Sequence, residues 1–211
     1  MFLRHKLFGK PAATATSSIL NSVQHRAISQ HLKAFATIDP ANLSSSDKGY
    51  NLVQGEWVPS AQYMDLVDPL NGGTLMKIPD TQLAEIDPFV ASLKECPKTG
   101  LHNPFKNKER YLMLSEVNRR VVECMHDPEV FEFFVQSIQR VTPKSHAQTT
   151  AELSVTVDFY ENFCGDRVRF LANSIRQPGD HLGQFNTSYR FPYGPVGVIT
   201  PFNFPIEIPV L

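Results

Sequence analysis

The stretch from Pro192 to Pro205 reads PYGPVGVITPFNFP and decides the fold class of this chain. Within it, Val196–Thr200 is an apolar run of strand length, typical of a parallel strand that is covered on both faces of a sheet. Asn203 comes shortly after this run, between Phe202 and Phe204. Because open α/β sheets bind ligands at the carboxyl ends of their strands, we expect this asparagine at a binding site. A parallel strand covered on both faces is typical of α/β proteins, so the stretch predicts an α/β fold.

The side chain of Asn203 suits one catalytic role in particular. Its amide can donate a hydrogen bond to an oxygen without transferring a proton, as the donors of an oxyanion hole do. The same prolines and aromatics could form a polyproline-type turn or an SH3 ligand, but the apolar flanks argue against that. The sequence holds no G-x-G-x-x-G, P-loop, H-E-x-x-H or G-x-S-x-G motif. Cofactor binding by those routes is thus unsupported.

The residues before this stretch show strand patterns first and helix patterns later. Short apolar stretches bounded by turn residues predict strands at Tyr50–Val58, Tyr63–Val67 and Thr74–Ile78. Helical spacing then predicts helices at 81–93, Asn107–Met125, Glu129–Arg140 and Ala147–Ile175. The helix at Asn107–Met125 is expected to bury a face marked by Leu114, Val117, Val121 and Met125. Residues 184–190 alternate like an exposed strand.

Residues 1–38 differ in composition from the rest of the chain. They hold five basic residues and no Asp or Glu, which is typical of a transit peptide. We predict that they direct the protein to the mitochondrial matrix, with the plastid as the alternative, and that cleavage falls near Arg26–Ser29. On this interpretation residues 1–38 lie outside the fold, residues 39–49 form a polar linker, and residues 50–211 form the folded body.

Overall composition argues against several classes of partner. The chain has 20 Lys and Arg against 21 Asp and Glu, a net charge of −1, so no basic field indicates a nucleic-acid partner. The longest candidate membrane span, Phe191–Ile206, contains four prolines. Three cysteines without C-x-x-C spacing indicate neither disulfides nor a structural zinc site. We therefore expect no nucleic acid, no membrane and no metal.

Four ordered motifs resemble one enzyme family. Pro192–Pro205 is similar to the P-x-G-x-x-x-x-I-x-P-(W/F)-N-(F/Y)-P signature of the aldehyde dehydrogenase superfamily. Cys96–Lys106, Gln139–Ser145 and Glu161–Asp166 resemble the plant-type Δ1-pyrroline-5-carboxylate dehydrogenases within it. The resemblance covers residues 50–211.

The resemblance implies roles for single residues. Asn203 would hold the oxyanion, and Phe204 would line the substrate tunnel. The nicotinamide and ribose of NAD would be lined by Ile199, Thr200, Pro201 and Phe202. Residues 184–191 would form the oligomerisation flap of a homo-oligomer, and the substrate would be a small aldehyde.

The resemblance also implies a fold and a reaction. The fold would be the amino-terminal arm and helices of an aldehyde dehydrogenase plus the first strand of its Rossmann-like cofactor domain. The reaction would be NAD-dependent oxidation of glutamate γ-semialdehyde to glutamate in proline breakdown.

The family's nucleophilic cysteine, its general-base glutamate and most of its cofactor site would follow Leu211. We therefore expect an incomplete domain that is inactive alone. The alternatives are a noncatalytic short product that binds full-length subunits and a helical binding module.

The targeting hypothesis leads to the first prediction. Residues 1–38 fused to a fluorescent protein are expected to carry it into mitochondria, because an acid-free cationic segment is drawn towards the negative matrix. Confocal microscopy against mitochondrial and plastid markers measures this. A diffuse cytosolic signal would contradict targeting, and a plastid signal would select the alternative.

Overall fold

Short β-hairpins and longer helices make up the computed structural model, which describes residues 30–95, 110–191, 193 and 196–211. The helices are α1 (Gln30–Phe35), α2 (Asp87–Glu95), α3 (Arg110–Met125), α4 (Pro128–Val141), α5 (His146–Glu161) and α6 (Glu207–Val210). The strands are β1 (Asn51–Val53), β2 (Glu56–Val58), β3 (Tyr63–Val67), β4 (Thr74–Pro79), β5 (Ile175–Pro178) and β6 (Phe185–Ser188). Leu83–Glu85 and Gly165–Ala172 are 3₁₀ helices.

The strands pair as three antiparallel hairpins, β1–β2, β3–β4 and β5–β6. The first turn places Gln54 and Gly55 at positive φ, 53° and 85°, which is the backbone geometry that favours a two-residue hairpin. The second hairpin turns through Asn71-Gly72-Gly73, where Gly72 has φ 74°. The strands predicted at Tyr63–Val67 and Thr74–Ile78 are confirmed, and the predicted stretch Tyr50–Val58 forms two strands separated by the turn at Gln54-Gly55.

Side chains from α1, α3, α4 and α5 form the hydrophobic core. The eight buried apolar residues of this cluster are Leu32, Val122, Met125, Val130, Val135, Ile138, Leu153 and Val157. Helix α4 starts where the sequence predicts, because the Asp127 side chain accepts a hydrogen bond from the Glu129 N–H and Pro128 occupies the first turn. The helix predicted at Glu129–Arg140 is confirmed.

Helix α3 buries a face that agrees with the predicted one only in part, since Met125 is buried and Val121 is half-buried and packs against the core. Leu114 and Val117 are exposed, whereas the buried residues are Ser115, Asn118, Val122 and Met125. This face packs against α5 and the 3₁₀ helix Gly165–Ala172, and the Ser115 hydroxyl donates to the Gly165 carbonyl at 3.3 Å. Small polar side chains let the backbones approach closely, which apolar spacing alone does not reveal. The proposed start at Asn107 lies outside the described residues.

The helix predicted over Ala147–Ile175 is wrong beyond residue 161. Helix α5 ends at Glu161, and Gly165 then takes φ +56°, a left-handed conformation that interrupts a right-handed helix. Val168 continues the apolar spacing and is fully buried, but this residue lies on the 3₁₀ helix Gly165–Ala172 and not on α5. Ile175 begins β5 instead of ending a helix.

The folded body begins earlier than the predicted boundary at residue 38. On α1, Leu32 is buried in the core and Phe35 stacks on Phe134 with ring centroids 5.8 Å apart. The assignment of residues 1–38 to a segment outside the fold is therefore wrong for residues 30–36, since apolar residues one helical turn apart give this basic segment a core-facing side. Its role in targeting stays a prediction.

The predicted linker at residues 39–49 is attached to a hairpin. Lys48 forms a β-bridge with Lys77, and the Gly49 N–H donates to the Lys77 carbonyl at 2.8 Å. The Lys77 N–H in turn donates to the Asp47 carbonyl at 2.8 Å. The polar composition of this stretch reflects exposure, while its backbone is fixed against β4.

The exposed strand predicted at residues 184–190 is confirmed in β6. All four residues of β6, Phe185–Ser188, are exposed, and β5 is its only partner among the described residues. Its use as an oligomerisation flap stays a prediction.

The burial of α1 leads to the second prediction. Leu32→Ala is expected to lower the free energy of unfolding by about 2 kcal/mol, near the low end for a buried leucine, because a terminal helix can shift to close the cavity. Urea denaturation followed by circular dichroism measures the change. Lys33→Ala, at the exposed neighbouring position, is the control. Equal stability of the two variants would contradict a core role for α1.

Candidate active site

The segment predicted as a buried strand, Val196–Thr200, forms no strand in the structure. Val196 and Val198 are exposed, and Ile199 is 101% exposed. Strand geometry depends on hydrogen bonds to a neighbouring strand, and no strand lies beside this segment among the described residues. The strand prediction at Val196–Thr200 is therefore wrong for this chain, although the helices and hairpins around it agree with a mixed helix and strand fold.

The proposed site residues lie together because they are consecutive. Pro201 and Asn203 are exposed, Phe202 is 85% exposed, and Thr200 is half-buried. The Asn203 amide makes no hydrogen bond to any residue in the described part of the chain. It is therefore available as a donor to a bound oxygen.

The chain immediately after Asn203 is fixed to the helical core by one buried carboxylate. The side chain of Glu152 on α5 is 0% exposed. Its Oε1 accepts hydrogen bonds from the Ile206 N–H at 3.0 Å and the Glu207 N–H at 3.3 Å. Its Oε2 accepts from Lys144 Nζ at 2.8 Å. Three N–H donors thus share this carboxylate, and two of them belong to the segment that follows the asparagine.

Lys144 also holds the aromatic ring next to Asn203. Its Nζ lies 3.7 Å from the centroid of the Phe204 ring, within the range of a cation–π interaction. Phe204 is 38% exposed, so one part of the ring remains open. The Phe204 carbonyl accepts from the Ile208 N–H at 3.3 Å, which starts the turn into α6. The backbone and side chain of Phe204 are therefore both restrained.

The turn between α4 and α5 sets the position of Lys144. The Lys144 N–H donates to the Thr142 carbonyl at 2.7 Å, and Gln139 Nε2 donates to the Lys144 carbonyl at 3.3 Å. Ser145 then caps α5, with its hydroxyl accepting from the Gln148 N–H and its own N–H donating to the Gln148 side chain. Glu152 follows two turns along α5, on the side that faces Lys144.

Sequence reasoning missed both Lys144 and Glu152. A charged residue on a helix normally indicates a solvent-exposed face, so the sequence gives no reason to expect that Glu152, next to Leu153, is buried. One signal was available. Thr149, Glu152 and Thr156 are spaced by three and four residues, and all three are buried on α5. A polar stripe that adjoins an apolar one points to buried hydrogen bonding.

The segment 199–202, predicted to line the nicotinamide and ribose, is exposed except at the half-buried Thr200. No backbone N–H or carbonyl of these residues is hydrogen-bonded within the described part of the chain. Together with the Thr200 hydroxyl, these groups can contact an amide and a ribose. The rest of an enclosing pocket is not formed by the described residues, because the segment is exposed on its other sides.

The two described cysteines are poorly suited to nucleophilic attack. Burial raises the pKa of the Cys124 thiol, and the nearby Asp127 carboxylate raises it further. Burial is also the main cause that raises the pKa of Cys164, with a smaller increase from Glu161. A raised thiol pKa lowers the fraction of thiolate, which is the nucleophile. Cys96 lies outside the described residues.

Neither a metal-binding cluster nor a helix able to span a membrane is found among the described residues. No group of three or more His, Cys, Asp or Glu side chains there is placed to hold a metal ion. None of the helices in the described ranges has the length and apolar character needed to cross a bilayer.

Known proteins similar to this chain include plant enzymes. It is 45% identical over 211 residues to Delta-1-pyrroline-5-carboxylate dehydrogenase 12A1, mitochondrial, of Arabidopsis thaliana, which covers 99% of this chain and 37% of the relative. It is 51% identical over 183 residues to a Linum usitatissimum protein named probable aldehyde dehydrogenase, covering 86% and 33%. The chain thus spans about a third of the length of the curated relatives it matches.

A solved structure supports the fold. A variant of betaine aldehyde dehydrogenase from Staphylococcus aureus in complex with NAD⁺ aligns with a TM-score of 0.60 at 15% identity, over 81% of this chain and 32% of that one. The model of the aldehyde dehydrogenase family matches residues 57–211, the whole body from β2 onwards. With the asparagine-bearing segment and its anchor inside that range, the chain belongs to the aldehyde dehydrogenase family.

Proposed function

We propose that this chain is the amino-terminal part of a mitochondrial NAD-dependent dehydrogenase that oxidises glutamate γ-semialdehyde to glutamate. The observation that carries the proposal is the exposed Asn203 amide, set directly before an anchored segment in a chain 45% identical to the Arabidopsis enzyme. Residues 1–29 belong to the acid-free stretch, which supports a mitochondrial address. The name of the Arabidopsis protein includes the same compartment.

In this proposal Asn203 acts on the aldehyde oxygen. When a nucleophile adds to the aldehyde carbon, negative charge develops on that oxygen, and the Asn203 amide donates a hydrogen bond to it. Removing one such donor typically costs about 2.7 to 4 kcal/mol at the barrier. The amide has no partner to give up among the described residues, and the anchored segment after it restrains its backbone on the carboxyl side.

Residues 199–202 act on the cofactor. NAD, when bound, supplies the acceptor for the hydride that leaves the substrate carbon. Ile199, Thr200, Pro201 and Phe202 hold its nicotinamide and ribose through backbone groups and the Thr200 hydroxyl. NADP is the alternative cofactor, and comparing initial rates with the two dinucleotides separates them.

Phe204 and β6 complete the proposed roles. Phe204 lines the substrate tunnel with the part of its ring that Lys144 leaves open. β6 has one edge free of partners within the described residues, and such an edge can accept a strand from another subunit. This supports a homo-oligomer of complete subunits.

The third prediction tests Asn203 in a full-length subunit, in which the Arabidopsis sequence continues this chain after Leu211. Asn203→Ala is expected to lower kcat by roughly 10²- to 10³-fold and to leave the Kd for NAD nearly unchanged, because the donor acts only as charge develops. Stopped-flow NADH absorbance gives kcat, and fluorescence titration gives the Kd.

The control for this test is another exposed asparagine. Asn162→Ala removes an amide at the end of α5, far along that helix from Glu152, and is expected to leave kcat unchanged. Wild-type turnover in Asn203→Ala would exclude this residue from the mechanism. Activity with unrelated aldehydes but none with glutamate γ-semialdehyde would exclude the proposed substrate.

The fourth prediction concerns the 211-residue chain alone, which we propose is inactive for want of a nucleophile. Cys124 and Cys164 are expected to react more slowly with iodoacetamide at pH 8 than the thiol of glutathione does. The labelling rates of both thiols should rise with pH, and the midpoint of that rise should lie at a higher pH than for glutathione, because a raised thiol pKa delays thiolate formation. Peptide mass spectrometry follows each site. Rapid labelling near neutral pH, together with NADH formation, would contradict the prediction.

A further inference from the structure

The geometry points to Lys144 and Glu152 as positioning residues that fix the place of Asn203. This inference rests on the proposed function, since Asn203 must act on the substrate for its position to matter. Neither residue touches the proposed oxyanion site. They act on the residues that follow it, Phe204, Ile206 and Glu207.

The contacts reach the asparagine through very few bonds. Phe204 is the next residue after Asn203, and its ring lies under the Lys144 ammonium. Two residues further on, the Ile206 N–H is bound by Glu152. Consecutive Cα atoms are about 3.8 Å apart, so fixing Phe204 and Ile206 leaves Asn203 little freedom at its carboxyl side.

The pair is better suited to positioning than to stability. The Glu152 side chain is 0% exposed and that of Lys144 only 15%. Taking two charges out of water offsets most of their attraction, so a buried pair adds little net stability but favours one geometry over others. Every acceptor oxygen of Glu152 is used, and two of its three donors belong to the segment 206–207.

No other charged side chain in the described part of the chain makes an ion pair or a hydrogen bond with residues 204–207. The ion pairs on α3, such as those of Glu116 with Arg119 and Arg120, are exposed and lie within one helix. Hydrogen bonds from both arginines lower the pKa of Glu116 to about 2, yet the carboxylate contacts neither Phe204 nor Ile206. Glu116 is thus a matched control: an ion-paired carboxylate without a positioning role.

Amide hydrogen exchange on the 211-residue chain tests the anchor without any activity. In Glu152→Ala, the Ile206 and Glu207 amides are expected to exchange about 10- to 100-fold faster, since each loses a charged acceptor. The amides of Val135 and Ile138 on α4 should keep their protection, and Glu116→Gln should change neither set. Unchanged exchange at Ile206 and Glu207 would overturn the inference.

A second variant covers the case in which Glu152→Ala fails to fold, seen as lost protection on α4. Lys144→Met removes the charge and keeps the length of the side chain, and it too is expected to speed exchange at Ile206 and Glu207. Lys144→Arg should restore protection, because a guanidinium can still reach both the carboxylate and the ring. Wild-type exchange in Lys144→Met would remove Lys144 from the proposal.

Kinetics of the full-length subunit then test the link to Asn203. Glu152→Ala is expected to lower kcat by roughly 10- to 100-fold with KM for the aldehyde changed little, as expected for a displaced transition-state donor. Combining it with Asn203→Ala should give the kcat of Asn203→Ala alone, because Glu152 acts through that residue.

The outcomes separate the two proposals. Multiplicative effects of the two substitutions would overturn the positioning role while leaving Asn203 in the mechanism. Wild-type turnover in Asn203→Ala would refute the proposed function, and the exchange data would still decide whether Glu152 anchors the segment.

Discussion

The buried carboxylate of Glu152 is the interaction on which the arrangement around Asn203 depends. A carboxylate with no water around it is costly unless its oxygens accept hydrogen bonds. Here the donors come from the turn between α4 and α5 and from the segment 206–207. Satisfying one charge therefore ties two distant parts of the chain together, and the helical core determines where the segment after the asparagine begins.

Local signals predicted the elements whose causes are local. Helix α4 begins at Pro128 because Asp127 and Glu129 make a cap within three residues, and the second hairpin turns at Asn71-Gly72-Gly73, a run of turn residues between two predicted strands, where Gly72 has φ 74°. Neither depends on distant contacts, so sequence patterns are enough. Burial of Leu32 depends instead on aromatic and apolar partners on α4, about 100 residues away, and the composition of residues 1–38 concealed it.

Apolar spacing misled where its cause was not a helix or a sheet. Val168 continues the spacing of α5, yet a glycine in the left-handed region separates the two. Val196–Thr200 has the composition of a covered strand, but strand formation requires neighbours that the described residues do not provide. The pattern reports a tendency to be buried, whereas the type of element depends on hydrogen-bond partners elsewhere.

The candidate site contains one residue proposed to act on the substrate and two residues that hold the following segment, and only the first can be recognised from the sequence. Asn203 is recognisable in sequence, because an amide between aromatics in a family signature has few other uses. Lys144 and Glu152 are not, because a charged pair on adjacent elements has many uses and only its burial distinguishes this one. The anchor also starts at Phe204, so residues 196–203 receive no hydrogen bond from the helical core within the described chain. In the proposed function, different contacts therefore govern the two sides of the site: the helices position Asn203 through the segment that follows it, and contacts to residues 199–202 from outside the described helical core would position the nicotinamide.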